Sequence, residues 1–214
     1  MADNKNIIST SVATIQRMPS YLSYLKNKLE EGDEYVSSVV MAAELGLTPM
    51  VVKKDLSLAR VVEGIPKRGF HISKLIDDIK TYLGYDNVKD AVLVGVGQLG
   101  KVLMSYSGFA NYGLNILAGF DVNKTLINKE VNGKKVFHID KLEDLVRRMN
   151  IHIGIITTPK EVAQEVADLM IKAGVKAIWN FSPTHLIIPD NVVLKNEDMA
   201  ASLAILSNKL KELL

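Results

Sequence analysis

Apolar residues recur along this chain with two different periods. Up to about residue 83 they fall at helical spacing, and from Ala91 onward short apolar runs alternate with helical stretches. The first pattern predicts a small helical domain. Tyr21, Leu22, Leu25 and Leu29 form one stripe, and Gly32 ends that helix. Ser37 or Ser38 is placed to cap a second helix through Leu45, with Gly46 as its stop. Thr48-Pro49 is an N-cap followed by proline at the first helical position, which starts a third helix. Ala42, Gly46 and Val52 then sit at helix-turn-helix offsets. The small residue lets the helices approach, the glycine supplies a left-handed turn, and the apolar residue closes the core. Taken alone, the same spacing also describes a structural helical hairpin.

The second pattern predicts βα units and a parallel sheet. Strands are expected at Ala91–Val94, Leu114–Phe120, Ile153–Thr157, Ala177–Asn180 and Val192–Lys195. Asn132-Gly133 signals a hairpin turn. Asp140 is expected to cap a helix carrying Leu142, Leu145, Val146 and Met149, and a further helix runs from Pro159 to Gly174. The uncharged run between Lys101 and Asp121 is interrupted by serines, asparagines and glycines, so it reads as a helix, a loop and a strand, not a membrane span. Gly84-Tyr85-Asp86-Asn87 is the natural boundary, giving domains 1–84 and 85–214. The chain ends in an amphipathic helix, 199–213, with Met199, Leu203, Leu206, Leu210 and Leu213 on one face. That face either dimerises, by exchange between subunits, or folds back on its own sheet.

Chemistry concentrates after the first strand of the sheet. Ala91-Val92-Leu93-Val94 runs into Gly95-Val96-Gly97-Gln98-Leu99-Gly100, and Lys101-Val102-Leu103-Met104 continues as helix. In such a turn Gly95 permits the tight bend, Gly97 admits a pyrophosphate to the backbone, and Gly100 lets the helix pack on the strand. The helix N-terminus offers N–H groups to phosphate. Asp121 ends the next strand, where a carboxylate bonds adenosine ribose hydroxyls and disfavours a 2′-phosphate. The strand ends Thr157-Thr158-Pro159 and Asn180-Phe181-Ser182-Pro183 lie where open α/β sheets bind ligands, so Thr158 and Pro159 join the expected cofactor site.

Charge adds a second surface. The chain of 214 residues carries 26 Lys/Arg against 24 Asp/Glu, so no bulk polycation argument applies. From Thr48 to Lys74, however, Lys53, Lys54, Arg60, Lys67, Arg68 and Lys74 face only Asp55 and Glu63. Gly64 to Ile72 reads as a short glycine-bounded hairpin. A basic third helix followed by a basic hairpin is a winged-helix pattern, with Thr48, Met50, Lys53 and Lys54 toward a DNA groove and Lys67 and Arg68 on the wing. There is no cysteine, which removes disulfides, thiolate metal sites and a catalytic thiol. The four histidines form no metal-binding spacing, and no acid/base constellation follows the last strand. Without an export signal, the cytoplasm is the expected location.

Winged helix, dinucleotide turn and terminal helix occur in the order of the Rex family of redox-sensing transcriptional repressors. The chain resembles that family from about Ala13 to Asn208. The similar segments are Ala13-Thr14-Ile15-Gln16-Arg17, Lys54-Asp55-Leu56-Ser57, Lys67-Arg68-Gly69, the glycine turn, Thr158-Pro159, Asn180-Phe181-Ser182-Pro183 and Glu197-Asp198. The resemblance implies no enzyme but a homodimer with swapped terminal helices that binds operator DNA when NADH is scarce. NADH, competing with NAD+, closes the paired nucleotide domains and moves the recognition helices out of register. It adds Arg17 to the DNA-contacting residues. It also places Tyr106, on the helix after the glycine turn, opposite the partner's Asp198, with Met199 near the nicotinamide. Ser23 stands where the family usually has arginine, Leu58-Ala59-Arg60 replaces Tyr-Phe-Gly, and Lys53-Lys54 stands where arginine is common. The competing readings are a small NAD-dependent oxidoreductase and a CoA-binding module of the same fold.

Overall fold

A computed structural model describes residues 11–59, 64–66, 68–85 and 89–213. It divides into two compact units, Met1–Asn87 and Val88–Leu214. Arg60, Lys67, Asp86 and Asn87 lie outside the described residues.

The first unit opens with α1 (Val12–Glu30), followed by β1 (Tyr35–Val36), α2 (Ser38–Glu44), α3 (Pro49–Leu58), β2 (Phe70–His71) and α4 (Ile72–Leu83). α1 begins nine residues before the expected stripe. It buries Thr14, Met18, Tyr21, Leu22 and Leu25, whereas Leu29 is exposed in the last turn. Ser37 caps α2, its hydroxyl accepting from Val40 N–H at 3.1 Å. Thr48 caps α3 in the same way, from Val51 N–H at 3.4 Å, with Pro49 at the first helical position. Ala42 and Val52 are fully buried between these helices. The hairpin closes as an antiparallel bridge between Ile65 and Gly69. The chain then continues into β2, which pairs with β1, an element too short to show a period.

The second unit is a seven-stranded sheet. In chain order it contains β3 (Lys89–Val94), α5 (Gln98–Ser105), β4 (Leu114–Asp121), β5 (Glu130–Val131), β6 (Lys134–His138), α6 (Leu142–Arg148), β7 (Ile153–Ile156), α7 (Lys160–Ala173), β8 (Ala177–Asn180), β9 (Val193–Asn196) and α8 (Met199–Lys211). The sheet order is β5-β6-β4-β3-β7-β8-β9, and every pair is parallel except β5 with β6. The direction of winding reverses between β3 and β7, which makes this a doubly wound Rossmann sheet with its ligand crevice at that switch point. One face is covered by α6 and α7 around Val92, Phe120, Val146 and Ala167. The other is covered by α5 and a 3₁₀ turn, Ser107–Tyr112, around Leu93, Val96, Met104 and Ile155.

Several expectations need correction. Strands and helices do not alternate throughout: the β4–β5 and β8–β9 connections carry no α-helix. Asp140 does not cap α6. The chain enters that helix through a 3₁₀ turn, Ile139–Lys141, and the Asp140 carboxylate turns back to lie 2.9 Å from His138 Nδ1. Met149 lies just past α6 and is exposed. Tyr106 is not on α5, which ends at Ser105. It is the extended residue between α5 and the 3₁₀ turn, and its ring covers Gly108. No helix among the described residues is long and apolar enough to cross a membrane.

Candidate functional site

The third helix of the first unit has two chemically distinct faces. Met50, Lys53, Lys54 and Ser57 follow the i, i+3, i+4, i+7 rule and are all exposed, Met50 at 79%. Val52, Asp55, Leu56 and the following Ala59 are buried. An ionised side chain in that inward set needs partners. Asp55 has three, all from α1: Thr14 Oγ1 donates to Oδ1 at 2.8 Å, Tyr21 Oη to Oδ2 at 2.7 Å, and Arg17 donates to both oxygens at 2.6 and 2.8 Å. Burial pushes the Asp55 carboxyl up, but the hydrogen bonds from Arg17, Tyr21 and Thr14 outweigh it and hold it below the usual carboxylate range. Burial, reinforced by the bond to Asp55, pushes the Tyr21 phenol well above its ordinary value. The Arg17 fork is therefore engaged inside the unit, fixing α3 to α1.

On the hairpin, Arg68 is exposed and its guanidinium lies over the Tyr35 ring at 5.3 Å. His71 meets the same ring edge-on at 5.2 Å.

In the second unit the glycine turn follows β3 as the motif requires. Gly95 has φ +98°, and a Cβ there would lie 2.8 Å from the Thr157 backbone. A Cβ on Gly100 would collide with the Gly95 carbonyl oxygen. At Gly97, by contrast, a Cβ would meet nothing within 4 Å, so the backbone faces open space. No side chain caps α5 at this end, and Gln98 and Leu99 are exposed beside it. Thr157 Oγ1 donates to Gly95 O at 2.6 Å and ties the turn to β7. Asp121 Oδ2 accepts from Val96 N–H at 2.7 Å and Oδ1 from Asn123 N–H at 2.8 Å. Each oxygen keeps a second lone pair for a ligand hydroxyl. Val96 itself spends its N–H on Asp121 and its side chain on the core, so it supports the site from beneath.

Gly95, Asp121, Thr158 and Pro159 share one cleft of about 300 Å³, with Val122 and Ile139 on one wall and Val162, Glu165, Val166 and Leu169 on another. Thr158 carries a buried hydroxyl with no partner among the described residues. An open glycine backbone, a free helix end, a poised carboxylate and an orphan hydroxyl fit a dinucleotide. The α7 wall escaped sequence reasoning, although Val162, Val166 and Leu169 repeat at helical spacing after Pro159.

A second cavity, about 480 Å³, is lined by residues 181–185 and 196–200 and contains Asp198 and Met199. Asn180 shapes it, donating to Asn196 Oδ1 at 2.8 Å and Thr184 O at 3.0 Å. Asp198 caps α8 through Ala201 N–H at 3.0 Å. Tyr106 does not line either cavity. It begins an aromatic series, Tyr106 on Phe109 at 4.9 Å, Phe109 on Trp179 at 5.7 Å and Trp179 on Phe181 at 4.8 Å. Trp179 Nε1 in turn donates to Glu197 Oε1 at 2.8 Å, beside Asp198 in sequence.

A helix-turn-helix unit with a basic outer face, carried on the same chain as a dinucleotide-type sheet, defines a DNA-binding regulator with a ligand domain. Comparison with known proteins gives the class its family. Residues 9–57 match the model described as "Putative DNA-binding protein N-terminus", and residues 86–184 match "CoA binding domain". The redox-sensing transcriptional repressor Rex of Treponema denticola is 41% identical over 193 residues, 90% of this chain and 91% of that protein. That of Porphyromonas gingivalis is 39% identical over 215 residues, covering 100% and 98%. Among solved structures, RSP in complex with β-NAD+ and operator DNA superposes with a TM-score of 0.88 at 33% identity, covering 94% of this chain and 93% of that one. RSP in complex with β-NADH gives 0.85 at 32% identity, covering 95% of each. The chain belongs to the Rex family of redox-sensing transcriptional repressors.

Proposed function

We propose that this protein represses transcription by binding double-stranded operator DNA when NADH is scarce and leaves the operator when NADH occupies the glycine-turn cleft. The observation that carries the reading is the outward basic face of α3, built on the same chain as the Gly95–Gly100 turn and Asp121. Met50, Lys53 and Lys54 face the groove, Thr48 fixes the helix start, and Arg68 and Lys67 serve the wing. Arg17 acts in this reading through Asp55, as a positioning residue. Gly97, Gln98 and Leu99 receive the pyrophosphate, Gly100 seats the helix close against the turn, Asp121 takes the adenosine ribose, and Thr158 and Pro159 close the cleft. The protein works as a cytoplasmic homodimer whose α8 helices are exchanged. Tyr106 of one subunit and the partner's Asp198, with Met199 beside it, report occupancy of the nicotinamide end. It is not an enzyme. A hundredfold change in DNA affinity requires a differential binding free energy of only about 2.7 kcal/mol.

The test offers the full chain a random duplex pool without NADH and then titrates the enriched sequences with NADH and NAD+. Enrichment followed by release on NADH supports the reading. No enriched sequence, or DNA that stays bound at saturating NADH, rejects it.

The match to a CoA-binding model favours a second reading, CoA in the same cleft. CoA carries a phosphate on its adenosine ribose, and the Asp121 carboxylate stands at the ribose end. Calorimetry with CoA and NADH separates the two, and tighter CoA binding selects the second.

A further inference from the structure

The α7 wall of the cleft carries one ionisable group. Val162, Glu165, Val166 and Leu169 are spaced i, i+3, i+4, i+7 along α7, and all four line the cleft. Three are aliphatic. Glu165 is exposed and lines the cleft, with no hydrogen-bond or ion-pair partner among the described residues. The role assigned to Glu165 below rests on the dinucleotide reading, in which phosphates lie at the glycine turn and the ribose at Asp121. The base then continues away from the turn, between Val122 and Ile139 on one side and the α7 face on the other.

Aliphatic walls suit the flat faces of any purine and do not tell one from another. Selection has to come from the edge of the ring. Adenine presents an exocyclic amine at carbon 6, a donor, whereas hypoxanthine presents a carbonyl there, an acceptor. A carboxylate only accepts. We propose that Glu165 reads the base, accepting from the adenine amine and rejecting a 6-oxopurine by placing acceptor against acceptor. Asp121 and Glu165 then divide adenosine recognition between ribose and base edge, and the apolar residues of the same cleft supply area without selectivity.

Calorimetry of the full chain with NADH and with its deaminated analogue, reduced nicotinamide hypoxanthine dinucleotide, tests this. The two ligands differ only at the purine edge. The wild-type chain is expected to bind NADH about tenfold more tightly, the scale of one hydrogen bond to a charged group. Glu165→Gln offers both donor and acceptor and should bring the two ligands toward equality. Glu165→Lys is donor-only and should reverse the preference. Equal affinity of the wild-type chain for the two ligands overturns the assignment, as does an unchanged preference in Glu165→Lys. Failure of both ligands to bind removes the dinucleotide reading itself, a different result from loss of selectivity.

Discussion

Arg17 Nε lies 2.6 Å from Asp55 Oδ2, and the two ends of this ion pair are unequally buried: the Asp55 side chain is 2% exposed and that of Arg17 31%. The pair joins α1, the first helix of the DNA-binding unit, to the buried face of α3. Its inequality sets the sign of the mutational response. Removing Arg17 strands a buried carboxylate, while removing the carboxylate leaves a guanidinium that water can reach. Arg17→Met is expected to destabilise the unit by roughly 3 kcal/mol, the lower end for breaking a buried pair. Asp55→Asn keeps one acceptor oxygen, for Tyr21 or Thr14 but not both, while removing the buried charge, and should cost about 1–2 kcal/mol. Hydrogen exchange of α1 and α3 amides in the full chain measures both. A larger loss for Asp55→Asn would contradict this picture.

The same carboxylate ties the unit's stability to acid. Its folded pKa is depressed, so the unfolded chain holds the proton more tightly and protonation favours unfolding. The contribution is complete above the unfolded carboxylate value of about 4 and is lost as pH falls through the lower folded value. Protection of α1 and α3 should therefore be flat from about pH 5 to 7 and fall below about pH 4. Asp55→Asn should flatten that fall. Tyr21 acts at the other extreme. Its raised pKa means stability is present below about pH 10 and lost as pH rises beyond it.

The three glycines of the turn should respond to alanine in different ways. Gly95→Ala and Gly100→Ala each force a Cβ into backbone, at Thr157 and at the Gly95 carbonyl. Both should lower the melting temperature and abolish NADH binding together. Gly97 has ordinary backbone angles and open space beyond it. Gly97→Ala should melt like the parent yet bind NADH at least tenfold more weakly, because the new methyl occupies the phosphate approach. A melting curve and a binding isotherm for each variant distinguish the two responses.

The features legible in the sequence are those whose physics is local. Thr48-Pro49, Gly46, Asn132-Gly133 and the glycine turn each depend on a few adjacent residues, and each forms as its chemistry dictates. The ladder between Tyr35–Val36 and Phe70–His71 is two residues long on each side, too short for any period to appear. Asp55 sits between Lys54 and Leu56 in a basic stretch and reads as a solvent charge. Its burial is set by Thr14, Arg17 and Tyr21, 34 to 41 residues away. Asp140 has the composition of a cap, but the 3₁₀ entry to α6 turns it toward His138. Glu165 is invisible in the same way, because its meaning depends on the opposite wall of the cleft.

The lysines of α3 allow phosphate and base recognition to be separated. Each phosphate neutralised on binding contributes roughly −0.9 to the slope of log affinity against log salt. Lys53→Ala or Lys54→Ala should make that slope shallower by about 0.9 for each phosphate that the variant no longer neutralises. A lysine that instead reads a base edge leaves the slope unchanged, and its alanine variant relaxes sequence preference at one position of the half-site. Arg68→Ala, on the hairpin, should behave as the removal of a phosphate ligand. Tyr35→Leu should reproduce part of that effect, because the ring under Arg68 no longer holds it.

The terminal helix poses the largest mismatch between apolar content and burial. Leu203, Ile205, Leu206 and Leu210 are each more than half exposed, and α8 has no buried residue. A fully buried leucine contributes about 2 kcal/mol, so such a helix finds cover in a second copy of the chain more readily than in water. The wild-type protein should sediment as a dimer and show a melting temperature that rises with protein concentration. Leu206→Asp with Leu210→Asp should give a monomer with a concentration-independent transition. The Val88–Leu214 sheet should keep its fold in that variant, since its core residues draw nothing from α8. Operator affinity should fall steeply, because a single subunit neutralises too few phosphates to hold DNA at physiological salt. A double variant that remains dimeric would show that another surface joins the subunits.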